Sequence, residues 1–388
     1  MKKISVAVIF GSRSTEHDVS IVTAIGSVIK PLEITKKYHV VPIYISKEGK
    51  WYSDDKLKNI RFFSEDGLEQ RLASLKPVLL NLDENFSLVK AGISKKTIPI
   101  DIVFPATHGT FGEDGFLMGL LEMANVPYVG CGVSASNIAM DKVTAKKIAQ
   151  SENILSTPWL WFNSTDCKNN MEVVLNKINK SNLIYPLFVK PAHLGSSIGI
   201  NKVSEKNELQ NAIEVAMFYD EKIIIEQAVN NLIEVTLPII GNETPLVSLL
   251  ESPLTQENKF FDFETKYLAG DGKKGGKKGG TGAQGYSQIP ADLPKDLYEK
   301  AEAVGVEVYK ALECSGLARV DMLIDAKTNK VYFNEVNPLP GSLYAHNWAK
   351  KGVSNVMLVE KLLEYGFERF EQKAKFQTIF QSSFLQNK

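Results

Sequence analysis

Ala318–Gly341 reads ARVDMLIDAKTNKVYFNEVNPLPG. Two apolar runs, Ala318–Ile324 and Lys330–Glu335, flank the polar turn Asp325–Asn329, a pattern that predicts paired strands. Residues two apart on a strand share a face. Arg319 and Asp321 therefore point the same way on the first strand, as do Glu335 and Asn337 on its partner. Asp321, Glu335 and Asn337 together offer three oxygen ligands, a set that suits Mg²⁺. Arg319, beside them, can stabilise negative charge that develops during a reaction. Asp321 alone would read as an ordinary surface charge. Arg-x-Asp followed by Asn-Glu-x-Asn-Pro favours a site.

Outward from that hairpin the chain alternates strand, turn and helix. Ile4–Phe10 is a β-branched run ending in a Gly/Ser turn, Val19–Lys30 reads as a helix, and Tyr38–Ile45 and Ile100–Phe104 read as further strands. This implies a parallel α/β unit with ligand loops at the strands' C-terminal ends. Lys47–Ser94 reads as an excursion of short strands and a polar helix. A break falls near Val126–Gly132, followed by a Lys-rich helix at Asp141–Ser151. Leu187–Val189 and Lys222–Glu226 read as buried strands, Glu234–Ile240 opens a third, β-rich unit, and Glu299–Leu312 carries helical periodicity.

Three loops follow strand ends. Pro186–Gly199, PLFVKPAHLGSSIG, delivers Lys190 and then small residues, Ser196 and Ser197 among them, whose backbone N–H groups can approach phosphate. A plain turn is the competing reading, and Lys142 by itself would be a solvated lysine. In Gly11–Ser20, Glu16 can take an ammonium group, against a polar turn in which Ser14 or Asp18 caps a helix. In Ala106–Gly115, His108 is either a pocket residue or a structural histidine, and GEDG resembles a tight turn. Gly270–Gly285, GDGKKGGKKGGTGAQG, is a solvated linker or a lid over an anionic ligand.

Lys+Arg and Asp+Glu are both 45, which argues against bulk electrostatic binding of nucleic acid. Cys131, Cys167 and Cys314 are sparse and odd in number, so a reducing compartment, the cytoplasm, is expected. The N-terminal apolar run fits a buried strand better than a signal peptide. No run approaches the ~20 apolar residues of a membrane span.

Taken in order, GSRSTEHDVS, HGTFGEDG, PYVGCGVSASNIAMDK, VKPAHLGSSIG, Lys266-Tyr267, ARVD and NEVNPLPG closely resemble the D-alanine–D-alanine ligase family of the ATP-grasp superfamily. The resemblance runs from the first strand to about Leu363. It implies a three-domain α/β ATP-grasp fold: an N-terminal α/β domain at 1–130, a central subdomain at 131–228 and a C-terminal subdomain at 229–388 with a lid at 268–287. It also implies a cytoplasmic homodimer that uses ATP and Mg²⁺, with two ions expected and Mn²⁺ also suitable. D-alanine would be the substrate, for peptidoglycan precursor synthesis, with no nucleic-acid or membrane partner.

The same resemblance assigns residues. Asp321, Glu335 and Asn337 are the implied metal ligands. Lys142, Lys190, Lys266 and Ser197 contact phosphate, while Glu226 and Glu234 serve adenine and ribose. Arg319 and the Gly341 N–H stabilise the oxyanion. Glu16, Ser196 and Tyr267 form the trio that ties the lid shut, with Glu16 also taking the first substrate's ammonium. His108 lies in the pocket. After Gly341 the family continues with a Thr/Ser-rich stretch, whereas this chain has SLYAHNWAKKG, leaving Ser342 and His346 as the acceptor-site residues. A ligase with another acceptor (a different D-amino acid, a hydroxy acid or another amine) is the alternative enzyme. A non-catalytic ATP sensor is disfavoured, because Arg319, Asp321, Glu335 and Asn337 are all present.

Overall fold

The structure is a computed structural model that describes residues 3–82, 86–90, 96–253, 287–379, 382 and 384. Lys266, Tyr267 and positions 268–286 of the expected lid lie outside the described residues.

The first sheet is built on β1 (Ile4–Gly11), which pairs in parallel with β2 (Tyr38–Ile45). β3 (Trp51–Tyr52) extends it, and the excursion β4 (Val78–Asn81), β5 (Ser87–Lys90) and β6 (Lys96–Pro99) forms a separate antiparallel sheet. β7 (Ile102–Pro105) then returns parallel to β1, giving the order β3-β2-β1-β7. The strand expected from Ile100 thus begins at Ile102. The Ile100 N–H is spent on the Phe86 carbonyl at 3.0 Å, so the chain joins β1 only afterwards.

The helix expected over Val19–Lys30 is part of a longer helical run: His17–Val22, a π-helical stretch Thr23–Ile29, and Lys30–Thr35. Pro31 follows the wide stretch. It lacks the N–H that would close an α-helical bond, and a local i→i+5 ladder relieves the conflict. Ala24, Ile25, Val28, Ile29 and Leu32 are buried along this run against Val6 and Val8.

The second sheet is antiparallel: β8 (Trp159–Asn163), β9 (Leu187–Pro191), β10 (Asn201–Val203) and β11 (Lys222–Gln227), in the order β10-β9-β11-β8. The helices Met171–Asn179 and Leu209–Tyr219 close its core through Val174, Ile178, Ile213 and Ala216.

The third sheet contains β12 (Leu232–Gly241) and β13 (Leu246–Val247). A small pair, β14 (Ser252–Pro253) with β15 (Ser287–Gln288), lies in between, and β16 (Gly316–Asp325) and β17 (Lys330–Asn337) complete the order β13-β12-β16-β17. The expected hairpin is therefore present and longer at both ends. Its register sets Arg319 opposite Asn337 and Asp321 opposite Glu335. It shifts after Asp321, where Met322 pairs with Phe333 and Asn334 is left over, as in a β-bulge. The helix Lys295–Ala311 packs close to this sheet at Gly305, where a Cβ would stand 2.6 Å from Leu237 Cδ2.

The C-terminal helix Asn355–Lys373 bridges the third sheet, at Ile240 and Leu317, and the first. Its Leu358, Val359, Leu362 and Leu363 join the core of the first, alongside Val6, Phe104 and Ile29.

Candidate active site

The register of β16 and β17 gathers the hairpin residues on one patch. Arg319 Nε donates to Asp321 Oδ1 at 2.7 Å, its terminal nitrogen holds Oδ2, and Asn337 Nδ2 donates to Oδ2 at 3.1 Å. The Arg319 guanidinium also lies 5.0 Å from the centre of the Tyr344 ring, within cation–π range. Among the described residues no three of His, Cys, Asp and Glu converge as a metal site. The donor set here is two carboxylates and a carboxamide, hard oxygen donors that fit a divalent cation such as Mg²⁺.

Lysines reach this patch from the central unit. Asp141 accepts from the Val143 and Thr144 N–H groups, and so starts the helix Lys142–Ser151. Lys142 follows at once. It is buried, with Nζ 3.2 Å from Glu335 Oε2 and 2.6 Å from the Leu194 carbonyl. The structure thus withdraws Lys142 from the solvated surface.

Lys190, on β9, lies 2.6 Å from Glu226 Oε2, on β11. On the other oxygen of Glu226, at 2.7 Å, stands Lys146, fully buried and also donating to the Phe333 carbonyl at 3.2 Å. Burial disfavours the Glu226 carboxylate, but the two lysines outweigh it and hold its pKa at about 2. Burial wins at Lys146, whose pKa is lowered. At Lys190 the attraction of Glu226 overcomes burial, and the pKa rises. Lys190 also donates to Asn334 Oδ1 at 3.4 Å, so the bulge residue ties the second sheet to the third. Lys146 was absent from the sequence reading, although it sits one helical turn beyond Lys142 on the same face.

The small-residue loop bends through Ser196 and Ser197 at φ 54° and 60° and Gly199 at 72°. Ser196 donates to Glu16, joining two of the expected trio, while the third, Tyr267, lies outside the described residues, as does Lys266. Neither Ser14 nor Asp18 caps the first helix: it begins at His17 with Glu16 in the cap position and no side-chain cap bond, while the Ser14 hydroxyl accepts from the Glu16 N–H at 3.1 Å in the turn before it. Glu234 lies on β12, with its carbonyl bonded by the Ser252 hydroxyl at 2.9 Å.

His108 is buried, 2.8 Å from Glu113 Oε1 and 2.8 Å from Thr23 Oγ1. Burial works against its charge, but Glu113 raises its pKa. Thr23 also accepts from the Ser342 N–H at 3.0 Å, which links the π-helical stretch to the turn after Gly341. That turn carries three consecutive left-handed residues, Ser342, Leu343 and Tyr344, at φ 51°, 55° and 51°. Such residues cost roughly 1–2 kcal/mol each. They persist here because Leu343 is buried, Ser342 is held by Thr23 and Tyr344 lies under Arg319. His346 turns to Glu251, 3.0 Å from Oε2, and Asn347 donates to the same oxygen at 3.0 Å. Thr23, Glu113 and Glu251 also went unread in the sequence. Only Glu113 lay in a recognised motif.

Two four-stranded antiparallel sheets meeting over a seam of lysines and acids, beside a parallel α/β unit, define an ATP-grasp enzyme fold. Residues 5–131 match the family model described as D-ala D-ala ligase N-terminus, and residues 148–364 that described as D-ala D-ala ligase C-terminus. The chain belongs to the D-alanine–D-alanine ligase family. A D-alanine–D-alanine ligase of Acetivibrio thermocellus is 37% identical, covering 96% of this chain and 98% of its own. One from Natranaerobius thermophilus is 35% identical, covering 99% and 100%. Among solved structures, the D-alanine-D-alanine ligase from Coxiella burnetii superposes with TM-score 0.77 at 26% identity, covering 97% of each chain. The VanG D-Ala:D-Ser ligase from Enterococcus faecalis gives 0.75 at 31% identity, covering 94% of this chain and all of the other. Among the described residues no helix is long and apolar enough to cross a membrane.

Proposed function

We propose that the chain joins two D-alanine molecules at the expense of ATP, supplying the dipeptide for peptidoglycan precursors. The observation that carries this reading is the seam itself: Lys142, at the start of its helix, meets Glu335, and Lys190, on the second sheet, meets Asn334, both on the strand β17 that also carries Asn337 and pairs with Asp321. The γ-phosphoryl group of ATP passes to the carboxylate of the first D-alanine, giving an acyl phosphate and ADP. The amine of the second D-alanine attacks the acyl carbon, inorganic phosphate leaves, and the amine loses a proton.

Lys142, Lys190, Ser197 and Lys266 are assigned to the phosphates, and Glu226 and Glu234 to the adenosine end. Asp321, Glu335 and Asn337 would hold magnesium, with two ions proposed and manganese able to substitute. The metal's contribution is to neutralise phosphate oxygens. Arg319 and the Gly341 N–H stabilise charge on the reacting carboxyl oxygen, work done by prepositioned dipoles and charge. Glu16 orients the first ammonium and, with Ser196 and Tyr267, keeps water from the acyl phosphate. His108 is assigned to the substrate pocket, and Ser342 and His346 to its acceptor side. The proposed divisions are 1–130, 131–228 and 229–388 with the 268–287 lid, in a cytoplasmic homodimer.

A second reading, with an acceptor other than D-alanine, is favoured by one feature: the left-handed turn and the commitment of His346 to Glu251 reshape the segment after Gly341. ATP-dependent phosphate release, measured with D-alanine alone and with D-alanine paired with D-serine, D-lactate or other amines, tests both. D-alanyl-D-alanine identified by mass supports the first reading. Turnover only with a mixed pair transfers the acceptor role, and silence throughout with ATP bound refutes both.

A further inference from the structure

His193 lies between two carboxylates that have no part in the proposed reaction. Its Nδ1 is 2.9 Å from Asp220 Oδ1, and its backbone N–H donates to Asp220 Oδ2 at 2.7 Å. Its Nε2 lies 3.7 Å from Asp141 Oδ2. The charged groups facing the ring come from separate elements. Asp220 ends the helix Leu209–Tyr219, Asp141 caps the helix Lys142–Ser151, Lys222 on β11 pairs with Asp141, and Asp114 acts from the turn before Phe116.

The position of this residue gives the cluster a use. His193 is the hinge between β9 and the loop Leu194–Gly199. On its near side the Ala192 carbonyl accepts the Lys142 N–H at 3.1 Å, and the Ala192 N–H donates to Lys222 at 2.9 Å. On its far side the Leu194 carbonyl accepts Lys142 Nζ at 2.6 Å, and the backbone then turns through the left-handed Ser196 and Ser197. A single imidazole thus pins the root of the loop to the helix that carries Lys142. With the ring protonated, two carboxylates face two cations. With it neutral, Asp220 loses its ionic partner. Asp141, then Asp220, overcome burial and raise the His193 pKa to about 9, so the ring is charged at neutral pH.

We propose that His193 is a positioning residue for ATP phosphate binding: clamped between Asp220 and Asp141, it fixes the Leu194–Gly199 loop and the Lys142 ammonium in one arrangement. The proposal rests on the reading that this loop and Lys142 meet phosphate.

The test is steady-state kinetics together with calorimetric ATP binding to the full chain. His193→Ala should raise KM for ATP roughly ten-fold or more while kcat and KM for D-alanine move less than about three-fold, the pattern of lost ground-state binding. His193→Lys, which restores a cation between the carboxylates, should recover part of that loss. In the wild type KM for ATP should climb as pH passes about 9, and in His193→Ala that climb should be absent. If His193→Ala does not fold, Asp220→Asn, which keeps the shape and removes the charge, is read by the same criteria. KM for ATP within about two-fold of wild type in the folded variant, or an equal pH dependence in both proteins, overturns the clamp. Failure of the wild-type chain to bind ATP at all overturns instead the phosphate reading of the loop, and the clamp with it.

Discussion

Lys142 Nζ and Glu335 Oε2 stand 3.2 Å apart, one at the start of a helix beside the second sheet and the other on a strand of the third. A lysine assigned to phosphate and a carboxylate assigned to metal are thus each other's partners before any ligand arrives. Lys142 is buried, Glu335 is half-buried, and the two are matched in charge, so both already stand where an anion and a cation would meet them.

Lys142→Met should therefore lower kcat/KM by roughly 10²–10³, as expected when a preorganised charge aimed at the reacting group is lost. Thermal unfolding should stay near wild type, because Glu335 keeps partial solvent access. Turnover within about three-fold of wild type would remove Lys142 from the phosphate site.

Lys146→Met should act in the opposite way, on the fold. It leaves the buried Glu226 with one lysine in place of two, and breaking a buried pair costs about 3–5 kcal/mol. Denaturant unfolding measures this, and a loss below about 1 kcal/mol would show that Lys190 alone satisfies the carboxylate. The pH dependence has a definite sign. The folded pKa of Glu226 is depressed to about 2, so its stabilisation is present above the unfolded value near 4.5 and is lost as pH falls through the window down to about 2.

Tyr344→Leu should lower kcat by roughly 3- to 30-fold, matching a cation–π contact of about 0.5–2 kcal/mol beneath Arg319. Tyr344→Phe keeps the ring and should stay within about two-fold. Equal loss in both variants would assign the effect to the hydroxyl rather than to support of the guanidinium.

The hairpin was legible because period-two alternation and a polar turn are local signals, whereas its register, with the shift after Asp321, was not read from them. Lys190 and Ser196 were legible for the same reason, sitting at a strand's end in a small-residue loop. Lys146 escaped because its importance comes from burial against Glu226, 80 positions away, and a lysine on a polar helix carries no sign of that. Glu251 and Thr23 escaped likewise: their partners, His346 and Ser342, are neighbours in space but 95 and 319 positions away along the chain. The left-handed turn at Ser342–Tyr344 has no glycine or asparagine to announce it. Its conformation is imposed by packing. The π-helical stretch left only Pro31 as a trace.

The return of Asn355–Lys373 to the first sheet sets an order on biosynthesis. Val8 leaves the ribosome roughly 350 residues before Leu362, which at 5–20 residues per second means a wait of about 20–70 s. During that interval the helical run His17–Thr35 can already lie against Val6 and Val8, but the part of their core supplied by Leu358, Val359, Leu362 and Leu363 is missing. The oldest core of the chain is therefore sealed only after Asn355–Lys373 has been made.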